Sequence, residues 1–160
     1  MHDIDFYSQT TDAGLIELKD NPYLSNLNFT NLVNSETIDI ARNGPAAALL
    51  LSNLHESGSI SISNISSVNI SSLSYTTVGD LVISSNSFTA FYAPFLSNVV
   101  GSVYITDNAM LSNLNLSSLG EIGTEYGAFG VMNNPLLESL VLPKLFYGTG
   151  RVNLTGNFST

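Results

Sequence analysis

The two carboxylates with the best spacing for chemistry are Glu17 and Asp39, which are 22 positions apart in the chain. If the chain is a stack of parallel strands that repeats at this interval, the two side chains face solvent on neighbouring strands, about 5 Å apart. Two carboxylates at about that distance can cleave a glycosidic bond. Lys19 and Arg42 fall close in the same register, and no aromatic sugar platform clusters beside the pair. A solvated acidic patch is therefore the simpler interpretation.

Other constellations that carry chemistry are weaker still. His2 and His55 fall far apart in the repeat, and neither has a second ligand type at metal spacing. The sequence contains neither a glycine-rich phosphate loop nor a nucleophile elbow. We therefore expect no metal, no cofactor and no enzymatic activity.

N-glycosylation is the modification that the sequence favours most. The N-x-S/T sequons begin at Asn28, Asn64, Asn69, Asn115, Asn153 and Asn157. Asn28, Asn69 and Asn115 each lie between two apolar residues of a predicted strand and should point outward, as should Asn153 on another strand. Asn64 is expected in a turn and Asn157 in an inward column, so both are weaker candidates, and a chain rich in Ser and Asn also generates sequons by composition alone.

The same outward register holds apolar residues in the intervening units of the repeat. These residues are Leu50, Tyr92 and Val141. They form either a contact surface flanked by sugars or a set of scattered exposed side chains, which folded proteins commonly show.

An internal repeat of roughly 22 residues places all of these side chains. The units begin near Gly14, Glu36, Gly58, Gly79, Gly101, Gly127 and Gly150. Each unit has an alternating apolar pair such as Val103 and Ile105, a second pair such as Leu114 and Leu116, and a third inward segment. This pattern predicts an all-β fold, a parallel β-solenoid of about seven coils that is stabilised by stacking of neighbouring units.

Asparagine follows the first strand of most units. The members of this column are Asn21, Asn43, Asn86, Asn108, Asn134 and Asn157. Amides stacked at one turn of successive coils can bond to each other and to the local backbone, and the loss of one would cost about 1–3 kcal/mol. Asn64 fits this column only approximately, because the third unit has a shorter turn. A row of amides that binds a ligand is the alternative.

Composition limits the partners of the chain. Its 160 residues are 44% hydrophobic and 11% charged, with a net charge of −9 and no cysteine. Nucleic acid and anionic membranes are poor partners for such a charge, and no run reaches the length of a membrane span. We expect a single solenoid domain over residues 1–160 that is a fragment of a longer array, since the last unit stops in mid-turn. Uncapped solenoid ends would favour self-association.

The repeat unit resembles that of receptor L domains. It appears as GLIELKDNPYLSNLNFTNL, GSVYITDNAMLSNLNLSSL and GAFGVMNNPLLESLVLPKL. Its Ser- and Thr-rich style is most similar to fungal GPI-anchored proteins of cell-wall and spore-wall organisation. The resemblance implies a right-handed β-solenoid, residence in the cell wall or on the cell surface, and no catalysis. Family members usually carry cysteines near the domain ends and a C-terminal anchor signal, which this chain lacks, so GPI anchoring is expected only of a longer parent protein.

These observations predict a non-enzymatic extracellular solenoid with a structural or adhesive role. It would present glycans and a polar β face to cell-wall polysaccharide or surface proteins. Two alternatives are a receptor-type ligand-binding L domain, which would use the long loop of the fifth coil, and a carbohydrate-active enzyme that uses Glu17 and Asp39.

Overall fold

The computed structural model describes residues 2–5, 11–44, 47–76, 79–123, 127–145, 147–148 and 150–156. The described residues form strands and turns, and none of them lies in a helix. The strands are β1 (His2–Asp5), β2 (Asp12–Lys19), β3 (Leu24–Asn28), β4 (Asn34–Ala41), β5 (Ala48–Leu50), β6 (Glu56–Ser63), β7 (Ser67–Asn69), β8 (Tyr75–Thr76) and β9 (Leu81–Ser84). They continue with β10 (Ala90–Tyr92), β11 (Asn98–Val99), β12 (Val103–Thr106), β13 (Asn113–Asn115), β14 (Glu121–Ile122), β15 (Phe129–Asn134), β16 (Ser139–Val141), β17 (Tyr147–Gly148) and β18 (Val152–Gly156).

All strand pairs are parallel and join positions about one repeat apart. The first strands of successive coils are β2, β4, β6, β9, β12, β15 and β18, which lie side by side in one sheet. The second strands form two sheets, one from β1, β3, β5 and β7 and one from β10, β13 and β16. Since the seven first strands enclose six turns, the described part of the chain has about six coils rather than seven. The predicted all-β solenoid with its 22-residue spacing is confirmed.

The core is a continuous column of apolar side chains inside the stack. The inward pairs of the first strands are fully or almost fully buried at Ile38/Ile40, Ile60/Ile62, Leu81/Ile83, Val103/Ile105 and Phe129/Val131. The outermost first strands of the described stack bury less, and Val152 and Leu154 are 57% and 45% exposed. Each inward residue is therefore buried by the coils on either side of it, as a solenoid requires.

Glycine begins most units because successive coils approach each other closely at this corner. A Cβ atom added at Gly58 would lie 2.1 Å from the carbonyl oxygen of Glu36, and one added at Gly150 would lie 1.8 Å from that of Gly127. Gly14 is different, since the nearest atom to its added Cβ is 3.7 Å away. The close backbone approach therefore excludes larger side chains in the middle of the stack, where overpacking is costly.

The residue that directly follows β2, β4, β6, β9 and β12 adopts a left-handed backbone conformation, as does the next-to-last residue of β15. The φ angles are 61° at Asp20, 52° at Arg42, 56° at Asn64, 56° at Ser85, 59° at Asp107 and 56° at Asn133. Asp and Asn tolerate this region better than other non-glycine residues because their side chains can bond locally. The sharp turn that results directs the next residue back into the stack.

Many serines bond between coils at the corners. The hydroxyl of Ser74 donates to the carbonyl oxygen of His55 at 2.7 Å, and that of Ser97 donates to the carbonyl of Ser74 at 3.0 Å. The abundant serine of this sequence therefore stabilises the stack as well as decorating its surface.

Candidate functional site

The outward asparagines and apolar residues of the second strands lie in one register, which we call the outward row. Asn28 pairs with Leu50, and Leu50 pairs with Asn69. Beyond the sheet break between β7 and β10, the row continues with Tyr92, Asn115 and Val141. Their inward neighbours Phe91 and Leu114 are fully buried, so the residues of the row point away from the core.

Each asparagine of the outward row caps the corner that follows its strand. The Oδ1 atom of Asn28 accepts a hydrogen bond from the backbone N–H of Thr30 at 3.2 Å. Asn69 accepts from Ser71 at 3.1 Å and Asn115 accepts from Ser117 at 3.0 Å in the same way. Within the described residues the Nδ2 atom of these three side chains makes no hydrogen bond. Because Nδ2 is the atom that carries an N-linked glycan, the cap leaves the site of glycan attachment open.

In two of the other coils, proline removes the backbone N–H that would need a hydrogen-bond partner at this corner. Two residues after Tyr92 and Val141 the chain has Pro94 and Pro143, which have no backbone N–H to satisfy. The N–H at this corner is thus either capped by asparagine or removed by proline, and Leu50 is the member of the row that has neither arrangement. Sequence inspection missed this rule, although the N-x-S/T and Φ-x-P patterns in one register were its signal.

Two of the remaining sequons, at Asn64 and Asn153, lie in other surroundings. Asn64 is exposed and occupies the left-handed corner position. Asn153 is partly buried, and its Nδ2 atom lies 3.1 Å from the sulfur of Met132. Asn157 lies outside the described residues. The structure therefore gives Asn28, Asn69 and Asn115 a shared geometry that Asn64 and Asn153 lack.

The inward asparagine column is hydrogen-bonded along the stack. The Oδ1 atom of Asn108 accepts from the backbone N–H and from Nδ2 of Asn86, at 3.0 and 3.1 Å. Asn134 accepts from Asn108 in the same manner, at 3.0 and 3.1 Å. All three are buried, and each donates through Nδ2 to a strand carbonyl of the preceding coil, as Asn108 does to Ile83 at 3.1 Å. These bonds give Asn86, Asn108 and Asn134 a structural use, since Oδ1 and Nδ2 of each amide are hydrogen-bonded within the stack.

The column is interrupted in the third coil. Asn21 donates to Asn43 at 3.0 Å, but the next member of the column is the fully buried Ile65 rather than an asparagine. Ile65 joins the column only through its backbone N–H, which donates to Oδ1 of Asn86 at 3.0 Å. Asn21 itself is exposed, because it lies in the first complete coil.

Glu17 and Asp39 lie at paired positions of β2 and β4, and Lys19 lies between their side chains. The Lys19 ammonium contacts Glu17 at 3.0 Å and also contacts Asp39. Hydrogen bonds to Asp39 and then to Glu17 raise the pKa of Lys19. The ammonium occupies the space that a substrate would need between the two carboxylates, so the geometry favours a surface ion-pair cluster over a catalytic pair.

Arg42 forms a second ion pair on the same side of the stack. Its guanidinium donates two hydrogen bonds to the Asp20 carboxylate, at 2.6 and 2.9 Å. The bond from Arg42 lowers the pKa of Asp20, and the same bond raises the pKa of Arg42. Both residues are exposed at neighbouring left-handed corners, so this pair links two successive coils at the surface.

Other types of site lack support in the part of the chain that the structure describes. No group of three or more His, Asp or Glu side chains there could hold a metal ion. Nδ1 of His55 lies 2.7 Å from the carbonyl oxygen of Asn53, and the side chain of His2 is outside the description. Residues 124–126, in the loop of the fifth coil, lie outside the described residues. Among the described residues there is also no apolar helix long enough to cross a membrane.

Comparison with known proteins finds three fungal relatives. The chain is 27% identical to Sporulation-specific protein 2 of Saccharomyces cerevisiae over 157 residues, which is 97% of the chain and 30% of the relative. It is 29% identical to a cell surface GPI-anchored protein of Arthroderma benhamiae over 150 residues, or 92% of the chain and 38% of the relative. It is 30% identical to Protein ecm33 of Aspergillus fumigatus over 147 residues, or 91% of the chain and 36% of the relative.

The chain is a relative of fungal cell-surface proteins. The resemblance predicted from the repeat is thereby confirmed, as is the predicted extracellular location in the cell wall or at the cell surface. The chain spans about a third of the length of these relatives. No family model matches the chain, and no solved structure does. None of the three names describes an enzyme.

Proposed function

We propose that the chain is a non-enzymatic structural element of a fungal cell wall or surface coat that presents N-linked glycans along a rigid β-solenoid. The observation that carries this proposal is the outward row, in which Asn28, Asn69 and Asn115 cap corners through Oδ1 and leave Nδ2 open. The similarity to a cell surface GPI-anchored protein supports the setting. Since that relative is named as GPI-anchored, we extend GPI anchoring to the full-length protein as part of the proposal.

The partner that we propose for the polar β face is cell-wall polysaccharide. On β6 the outward residues are Ser59, Ser61 and Ser63, which are partly exposed, and Ser84 and Thr106 follow in register with Ser63 on the next two first strands. The hydroxyls of Ser63, Ser84 and Thr106 follow one another on neighbouring strands about 4.8 Å apart, and Asp39 on β4 is the charged direct neighbour of Ser61. Such a surface can exchange hydrogen bonds with the hydroxyl groups of an extended sugar chain. The solenoid ends and neighbouring surface proteins are further proposed contacts.

The test of glycan presentation is secretion of the chain from a fungal host, followed by peptide mapping by mass spectrometry. We expect glycans on Asn28, Asn69 and Asn115. The matched control replaces Thr30, Ser71 and Ser117 by alanine, which removes the sequons but keeps each corner cap, because the cap uses the backbone N–H. Empty sites at all three asparagines in the unmodified chain would refute the proposal.

The polysaccharide contact is tested separately by co-sedimentation with insoluble wall glucan and chitin. We expect the secreted chain to sediment and a variant with Ser61 and Ser63 changed to glutamate to remain in solution. Equal sedimentation of both proteins would exclude this face as the contact. Incubation with the same polymers also tests the enzyme alternative, which requires released sugars that disappear in Glu17→Gln.

A further inference from the structure

We infer that the exposed apolar side chains of the outward row are covered by the molecule's own glycans, and that the first N-acetylglucosamine on Asn115 packs against the ring of Tyr92. This inference rests on the proposed glycosylation and adds to it a defined contact. It also assigns an occupant to the apolar residues of the row, which the sequence allowed to be either a contact surface or scattered exposed side chains.

The register of the strands brings the glycosylation site at Asn115 and the ring of Tyr92 together. Tyr92 on β10 and Asn115 on β13 are directly paired residues of neighbouring parallel strands, so their Cα atoms are about 4.8 Å apart. Both side chains leave the same face of the sheet, since the residues beside them point into the core. Tyr92 is 53% exposed, and a sugar attached at Asn115 begins beside it.

The corner cap prepares Asn115 for this contact. Its Oδ1 atom is held at 3.0 Å by the backbone N–H of Ser117, which restricts rotation of the amide before a sugar is attached. A glycan on Nδ2 leaves the cap bond in place. The first sugar therefore starts from an ordered stem and loses less freedom when it packs on its neighbour.

The chemistry of the two surfaces is complementary. One face of the N-acetylglucosamine ring presents C–H groups, and tyrosine offers an apolar ring face together with a polar tip that can stay in water. Contact between them removes apolar area from water, which is favourable. No charged residue of the row lies between Tyr92 and Asn115.

The same relation holds for every apolar member of the row. Leu50 lies between Asn28 and Asn69, which are its two direct neighbours. Val141 is the neighbour of Asn115 on the side opposite Tyr92. A sequon asparagine thus lies beside each exposed apolar residue of the row. A bulky glycan on that asparagine would block the approach of a flat protein partner. The row is therefore better suited to covering by its own sugars than to docking of another protein.

The experiment uses secreted protein whose glycans are trimmed enzymatically to the first N-acetylglucosamine. In the NMR spectrum, we expect the acetyl methyl signal of the sugar on Asn115 to be shifted upfield by the ring current of Tyr92 and to return to the free-sugar value in Tyr92→Leu. Tyr75→Leu is the matched control, because Tyr75 is an exposed tyrosine whose direct neighbours Glu56 and Asn98 are not sequon asparagines. This control should leave the signal unchanged.

Thermal unfolding gives a second readout. Removal of the glycan by Ser117→Ala should lower Tm by about 2–4 °C when Tyr92 is present and should have a clearly smaller effect in Tyr92→Leu. An occupied Asn115 with an unshifted methyl signal and equal Tm changes in both backgrounds would overturn the inference and leave glycan presentation standing. An Asn115 without glycan would overturn the inference together with that part of the proposed function.

Discussion

The hydrogen bonds of the inward asparagine column allow us to predict how much stability is lost when one asparagine is removed. Asn108→Ala is the sharpest test of this prediction. The Asn108 side chain takes part in four hydrogen bonds. It accepts two from Asn86 and donates one each to Ile83 and Asn134. Nδ2 of Asn86 keeps its bond to Ile62 in the variant, and Oδ1 of Asn134 still accepts from the backbone of residue 108. The backbone N–H of Asn86 loses its partner, and the carbonyl of Ile83 loses one donor.

The cost follows from these two buried groups. A buried polar group without a partner costs about 1–3 kcal/mol. Two such groups predict that the free energy of unfolding falls by about 2–6 kcal/mol, which is a large part of the stability of an ordinary domain.

Urea unfolding followed by circular dichroism measures the effect. Asn113→Ala is the matched control, because Asn113 is an exposed asparagine in the same coil whose Nδ2 atom bonds only to the neighbouring Ser112 within the described residues. This control should change the free energy of unfolding by no more than about 0.5 kcal/mol. Equal changes for the two variants would refute the view that the column stabilises the stack.

Three further changes test other features of the fold and surface. Leu116→Asp leaves an unpaired charge in the core and should cost about 3–5 kcal/mol in urea unfolding, whereas Asn115→Asp retains the corner cap and should cost almost nothing. Gly58→Ala should cost about 1–3 kcal/mol, because its Cβ would lie 2.1 Å from a carbonyl oxygen of the preceding coil; the same change at Gly14, with 3.7 Å of space, should be neutral. The Asp20 carboxyl should titrate below its ordinary value of 3.8 in NMR, and its pKa should rise when its arginine partner is replaced by glutamine. The stability that this ion pair adds is present above the unfolded-state pKa and is lost as the pH falls through the lower folded-state value.

Periodicity was sufficient to predict the fold, because a solenoid repeats the same arrangement of strands and turns in every coil. Alternation of pairs such as Val103 and Ile105 has the strand period, and its return every 22 residues or so requires parallel stacking rather than hairpins. The inward and outward faces then follow from the parity of each residue within its strand. The number of completed coils does not follow from the pattern, since a first strand marks the start of a turn whether or not the turn is completed.

The interactions between coils could not be predicted from the pattern alone. The bridging position of Lys19 depends on the rotamers of three side chains, those of Lys19, Glu17 and Asp39. The left-handed corner includes Arg42 and Ser85 as well as residues that tolerate such φ angles easily, so the identity of one residue did not reveal it. The place of Ile65 in the asparagine column depends on how the shorter third turn is absorbed, which only the backbone shows.

The corner caps change the meaning of the sequons in this chain. An asparagine two residues before a serine or threonine is a glycosylation signal, but here it is also the residue that satisfies the backbone N–H of the corner. A count of sequons therefore cannot separate a modification role from a structural one. The two roles use different atoms, since the cap uses Oδ1 and the glycan uses Nδ2. Asn115→Ala removes both, whereas Ser117→Ala removes only the glycan, so the difference in stability between these two variants measures the cap alone.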